Sequence, residues 1–190
     1  RINFTTPPET RAAGVARLRA LVEAGRMDEA LVEAKRHLPE QADVIHDLLA
    51  WLAEQMIEMH SSRQAEMKGF LAWLSRKIGA DLDGLIGKTT LFNYLGDYQK
   101  GESEAPLTAI LNVLRKNQKK LAVNIASRKF QEALEREYES SLVKLRPIKS
   151  RLAAVDALID QVVYALYGLG EEEIAVIEGK SAGAVAERQE

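Results

Sequence analysis

The sequence predicts an all-α protein built on two long helices. Three observations carry that expectation. Apolar residues at Ile45, Leu49, Leu52, Met56 and Met59 are spaced 4, 3, 4 and 3, as one helix face requires. A second seam, from Phe130 to Leu166, settles into a near-heptad repeat. Between the helical runs stand glycines and prolines with the placement of caps and stops.

Taken in order, Thr6-Pro7-Pro8-Glu9 has the form of a capping box, with Thr6 as N-cap and Glu9 reaching back. Val15, Leu18, Leu21 and Val22 then supply the apolar stripe of a first helix, which stops near Gly25. Met27, Ala30, Leu31 and Ala34 supply a second, closed before Pro39, so residues 1–40 read as a helical hairpin. From Asp43 the first long seam begins, and it resumes at Phe70, Leu71, Leu74 and Ile78 after the polar stretch HSSRQAE. One helix of about 35 residues is expected there, roughly 53 Å long at 1.5 Å per residue. Residues 79–106 are punctuated by Gly79, Gly84, Gly87, Gly96 and Gly101 and read as the irregular section. A medium helix follows Pro106, with Leu107, Ile110, Leu111 and Leu114 on one face.

Ser127 is placed to cap the second long helix. Its seam is Phe130, Leu134, Tyr138, Leu142, Leu145, Ile148, Leu152, Val155, Ile159, Val162 and Leu166. Pro147 lies inside it and predicts a kink, at a cost of about 3 kcal/mol that packing must offset. The helix ends at Tyr167 with Gly168 as a left-handed C-cap and Leu169 as the accompanying apolar contact. Gly170 then starts a short helix whose first turn holds Glu171, Glu172 and Glu173, and whose Ile174, Val176 and Ile177 are expected to fold back on the long one. The expected arrangement is an antiparallel coiled-coil-like stalk with the shorter helices packed at one end. Residues 41–179 form that module, and residues 180–190 form a flexible tail.

Composition narrows the function. With 26 basic and 28 acidic residues the net charge is -2, so any nucleic-acid contact must come from a local patch. The absence of cysteine excludes disulfides, thiolate catalysis and cysteine-ligated zinc. No apolar run reaches the length of a membrane span, and RINFTTPPET lacks the apolar core of a signal peptide, so a cytoplasmic protein without membrane partners is expected. A start at Arg1 instead of methionine suggests a fragment or a processed product.

Few motifs survive a physical reading. Leu85-Ile86-Gly87-Lys88-Thr89-Thr90 resembles the end of a phosphate-binding loop, but Leu82 stands where the first glycine is needed and no strand precedes it. The acid-x-Lys pairs Glu33-Ala34-Lys35 and Glu66-Met67-Lys68 sit in helical patterns, where positions i and i+2 face apart. His37, His46 and His60 share no spacing that converges on a metal.

The informative charge feature is local. No acidic residue occurs from Pro106 to Gln131, a stretch carrying Arg115, Lys116, Lys119, Lys120, Arg128 and Lys129 with the neutral donors Asn112, Asn117, Gln118 and Asn124. A second cluster, Lys144, Arg146, Lys149 and Arg151, surrounds Pro147. Such patches suit phosphate contacts, which fix a protein on DNA without reading its sequence. The alternative is a solvated face or one that meets an acidic partner surface. No aromatic residues interleave the cations, which argues against single-strand stacking.

Two segments resemble a known family. DVIHDLLAWLAEQMIEMH with KGFLAWLSRKIG, and the stretch from Phe130 to Gly179, are similar to C-terminal helices of TaqI-like, type IIG adenine-N6 DNA methyltransferases of restriction-modification systems. The closing pattern I/L-D-x-x-V-Y-x-L-Y-G-L-T-x-E-E-I, similar also to helices of type I specificity subunits, is matched by Ile159, Asp160, Val163, Tyr164, Leu166, Tyr167, Gly168, Leu169, Glu172, Glu173 and Ile174. Gly170 departs from it, replacing the usual threonine. The family's adenine motif has no counterpart, because Thr6-Pro7-Pro8-Glu9 lacks both the amide or acid and the aromatic. No catalytic residue, metal site or cofactor site is therefore assigned to this chain; the resemblance implies S-adenosylmethionine only for a parent enzyme. It implies a non-catalytic helical module that spaces and docks the parent's catalytic and target-recognition domains and touches the double-stranded DNA backbone. Tyr164, Tyr167, Leu169 and Ile174 are the candidate docking residues, for those domains or for a second copy in a homodimer. The competing expectation is a free-standing helical interaction or dimerisation protein with no DNA role.

Overall fold

A computed structural model, which describes residues 5–179, is all-α. Among the described residues the helices are α1 (Pro8–Glu23), α2 (Met27–His37), α3 (Ala42–Ile78), α4 (Lys88–Phe92), α5 (Leu107–Lys116), α6 (Arg128–Tyr167) and α7 (Glu171–Ile177). Single 3-10 turns at Leu82–Gly84 and Gln118–Lys120 complete them. The long helices contain 37 and 40 residues, and α6 continues through Pro147. The expected tail at 180–190 lies outside the described residues. Two compact units divide the chain, one of residues 1–55 with 154–190, the other of residues 56–153.

The first unit holds α1, α2, the start of α3, the end of α6, and α7. Its buried residues are Val15, Leu18 and Val22 of α1, Ala30 and Ala34 of α2, Val44, Ile45, Leu48, Trp51 and Leu52 of α3, and Val155, Leu158, Val162 and Tyr164 of α6. The seam is thus wider than the single stripe expected. Leu48 and Trp51 join it while Leu49 sits half-buried at its margin, and Leu158 replaces Ile159 at the centre. A helix with neighbours on more than one side buries a broad face, which a strict heptad count underestimates.

Thr6 does not cap α1; Pro7 occupies that position and makes no side-chain cap. Instead the Thr6 hydroxyl donates to Asp43 Oδ1 at 2.5 Å and the Thr6 N–H donates to Oδ2 at 2.9 Å. Asp43 is fully buried, and its Oδ1 also accepts from the Val44 N–H at 3.0 Å. Hydrogen bonding, first from the Thr6 hydroxyl, holds the Asp43 carboxyl below the usual carboxylate range. A lowered folded-state value contributes stability that is present above the unfolded value and lost as pH falls through the folded one. The melting-temperature gap between wild type and Asp43→Asn is therefore expected to shrink on acidification from about pH 5 to pH 3. A gap that stays constant or widens would show that the ionised form is not what Thr6 stabilises.

The corner after α6 forms as its sequence dictates. Gly168 takes φ 65°, the Leu169 N–H donates to Tyr164 O at 3.0 Å, and the Gly168 N–H donates to Ala165 O at 3.2 Å. These two bonds close the last carbonyls of α6 in a Schellman motif. Glu173 Oε2 accepts from the Gly170 N–H at 2.8 Å, the one half of a capping box that a glycine N-cap allows. Val176 and Ile177 are exposed, so of the three residues expected to fold back only Ile174 is half-buried. A helix of seven residues cannot turn all three apolar side chains inward.

The second unit packs the end of α3 antiparallel to the start of α6. Phe70 meets Tyr138 with ring centroids 5.9 Å apart, and Glu66, four residues earlier, pairs with Lys144, six residues later, at 3.1 Å. Its core runs from Phe70, Leu74 and Ile78 through Leu82, Leu85, Leu91, Tyr94 and Leu95 to Ile110, Val113, Leu114, Ile125, Phe130 and Leu134. Gly96 is forced: at φ 72° an added Cβ would lie 2.4 Å from Ser103 O.

Candidate nucleic-acid interface

The surface that carries the acid-free cations lies wholly in the second unit. Helix α5 follows Pro106 as its N-cap and buries Ile110, Leu111, Val113 and Leu114, which leaves Arg115 and Lys116 exposed on its last turn. Asn117 ends the helix, and the 3-10 turn Gln118–Lys120 presents Lys119 and Lys120 to solvent. The connection to α6 is tied by side chains. Gln118 Nε2 donates to Val123 O at 2.7 Å and its Oε1 accepts from the Ile125 N–H, while Gln131 Nε2 of α6 donates to Ile125 O at 3.1 Å. The Ala122 N–H donates to Ile78 O at 2.8 Å, which pins the connection to the end of α3. Through these bonds the cations of α5 and those at the start of α6, Arg128 and Lys129, belong to one fixed segment.

The six cations differ in what they already bind. Arg115 reaches Asn112 Oδ1 at 3.3 Å, Lys120 Nζ donates to Gly84 O at 2.7 Å, and Arg128 pairs with Glu132 at 2.6 Å. Lys116, Lys119 and Lys129 are exposed and pair with no carboxylate among the described residues. Arg128 and Lys129 also occupy the first turn of α6, which has no acidic residue. Cations there oppose the helix dipole and raise the local positive potential.

In the second cluster, three of the four cations, Lys144, Arg146 and Lys149, have internal partners. Arg146 forms a forked pair with Glu104, closest at 2.6 Å, and its hydrogen bonds hold the Glu104 carboxyl below the usual range. Lys149 Nζ donates to Leu95 O at 2.7 Å and Glu102 O at 2.5 Å, and Lys144 pairs with Glu66. The neutral side chains also have internal partners. Asn117 is buried, Gln118 bridges its own loop, and Asn124 accepts from the Ala126 N–H.

The other sequence features resolve in the same way. Gly87 takes φ 83° at the start of the five-residue α4, and Lys88 is paired with Asp83 at 3.0 Å. Glu33 is clamped between Arg17 and Arg36 at 3.0 and 2.9 Å. His37 contacts Gln41, His46 contacts Asp47 and His60 contacts Tyr98, and no three metal-ligating side chains converge among the described residues. Of the docking candidates in the first unit, Tyr164 is buried and offers a partner little surface. Leu169 and Ile174 are half-buried, and Tyr167 is 75% exposed. No described helix is long and apolar enough to cross a membrane.

No family model, curated protein or solved structure matches this chain.

Proposed function

We propose that this chain is a non-catalytic helical module of a restriction-modification adenine-N6 DNA methyltransferase polypeptide, working in the cytoplasm as a spacer and docking element. Its surface around Arg115, Lys116, Lys119, Lys120, Arg128 and Lys129 holds the backbone of double-stranded DNA. S-adenosylmethionine belongs to the parent's catalytic domain. The observation that carries the DNA reading is the contrast between two basic clusters of one unit. In the cluster around Pro147, Lys144, Arg146 and Lys149 are bound to carboxylates and carbonyls, whereas Lys116, Lys119 and Lys129 remain exposed and unpaired with carboxylates. The placement of Lys129 at the positive end of α6, where it costs stability, favours a role outside folding.

The test is titration of a dye-labelled duplex at several salt concentrations. The triple variant Lys116→Glu, Lys119→Glu, Lys129→Glu is expected to bind more weakly and to lose about 0.9 from the logarithmic salt slope for each phosphate contact removed. An unchanged slope would mean that this surface meets no phosphate. Lys129→Glu alone carries a second expectation: it should stabilise the chain by about 0.3–1 kcal/mol through the α6 dipole while weakening DNA binding. A thermal melt that moves downward would contradict the dipole argument. The parent polypeptide is tested by the intact mass of the native protein, which should far exceed 21.1 kDa.

The second reading is a protein-docking or dimerisation module without a DNA role. It is favoured by the exposure of Tyr167, Val176 and Ile177 around the α6–α7 corner. Sedimentation of the chain shows whether it self-associates, and the duplex titration above distinguishes the two readings, because this one expects no binding.

A further inference from the structure

Ile86 is 67% exposed, yet it does not stand on a loose loop. Its N–H donates to Asn117 Oδ1 at 2.9 Å and its carbonyl accepts from Asn117 Nδ2 at 2.9 Å. The same Nδ2 donates to Val113 O at 2.8 Å, so the clamp is anchored on α5, and the Asn117 side chain is buried. On one side Leu85 is buried and Gly84 O is held by Lys120 Nζ at 2.7 Å. On the other, Gly87 sits at φ 83°, where an added Cβ would touch Val113 Cγ2 at 3.4 Å. An aliphatic side chain is thus displayed to water on a backbone fixed from both directions.

What fixes it is the basic segment itself. Asn117 follows Lys116 directly and precedes Lys119 by two residues, so the clamp that sets Ile86 is part of the chain that presents these cations. The same loop also carries two exposed acids, Asp83, which pairs with Lys88 at 3.0 Å, and Asp81, whose Oδ1 accepts from the Asp83 N–H at 3.1 Å.

We propose that Ile86 is an apolar wedge that enters the minor groove of duplex DNA while Lys116 and Lys119 hold the flanking phosphates. The proposal rests on the DNA reading above and adds to it a contact with the bases. Phosphate contacts fix the register and orientation of a duplex and do not reach its bases. An aliphatic side chain among cations pries open a base step and bends the duplex, and the unstacking is offset by the surface the bend brings into contact. Rigid display lowers the ordering cost of such a contact. A basic surround suits a polyanion, and this selects a duplex over an apolar protein groove as the occupant.

The experiment uses the full chain and a mixed-sequence duplex of about 30 base pairs with a dye at each end, followed by energy transfer and by anisotropy. The wild type is expected to bring the duplex ends closer. Ile86→Ala, at an exposed position, should keep the wild-type melting curve and salt slope, lose the end-to-end change, and bind roughly tenfold more weakly. Ile86→Phe, a wedge of larger size, should retain the bend. If Ile86→Ala bends and binds as wild type does while Lys116→Glu with Lys119→Glu lowers the salt slope, the wedge is overturned and the DNA reading stands. If neither pair of variants alters binding, or the duplex is not bound, the DNA reading falls and takes the wedge with it.

Discussion

Tyr94→Ala is expected to destabilise the second unit by about 3–5 kcal/mol, the range for removing a fully buried aromatic ring. The ring has no exposed surface and sits at the centre of an aromatic group, 4.8 Å from Phe70 and 5.8 Å from Tyr138 between centroids. Its hydroxyl meets Ser141 Oγ at 2.7 Å, and Ser141 is itself buried. Alanine would therefore leave both a cavity and an orphaned hydroxyl. Tyr94→Phe isolates the second effect and should cost about 1 kcal/mol. Melting followed by circular dichroism checks the pair. A Tyr94→Ala shift of less than about 2 °C would mean that the core closes over the gap. The same burial pushes the Tyr94 and Tyr138 phenols up to about 12. A raised folded-state value contributes stability that is complete below the unfolded value, near 10, and is lost as pH rises towards 12. Alkaline unfolding in that window, with the rise in phenolate absorbance coinciding with it, is the expected signature.

Asn117→Leu is the second large effect, roughly 3 kcal/mol or more. The amide makes three bonds, to the N–H and carbonyl of Ile86 and to the carbonyl of Val113. Leucine has a similar volume but leaves each of these backbone groups without its partner, at about 1 kcal/mol apiece before any further desolvation. Asn117→Asp separates hydrogen bonding from shape. A carboxylate can accept from the Ile86 N–H but faces two carbonyl oxygens where the amide donated, so this variant should gain stability on mild acidification as it becomes a donor. Urea unfolding at two pH values tests this. If Asn117→Leu unfolds at the same midpoint as wild type, the clamp contributes nothing to the fold.

The sequence made the helices and most of their ends legible, because spacing, glycine and proline act locally. The Gly168–Gly170 corner is the clearest instance, with its Schellman bonds between residues no more than five apart. What stayed hidden depends on where distant residues meet. Thr6 has the local form of a cap, yet it binds Asp43, thirty-seven residues away. Arg146 and Lys149 read as a free basic cluster because the acceptors that hold them, Glu104, Leu95 O and Glu102 O, come from the irregular section that precedes α5. Counting charges cannot distinguish a cation bound internally from one offered to a ligand. The clamp by Asn117 was invisible for the same reason: a buried asparagine among lysines reads from sequence as one more polar surface residue.

The division of the chain also sets an order for its manufacture. Residues 56–153 are continuous, whereas the first unit needs residues 1–55 and the stretch after 153. During synthesis the second unit can close as soon as its own strand of polypeptide has emerged. The apolar faces of α1 and α2, which precede it, share their unit with Val155, Leu158 and Val162, which follow it. An interior segment that is complete in itself, flanked by two stretches that need each other, is expected to fold ahead of the stretch that precedes it, the reverse of N-terminal-first folding.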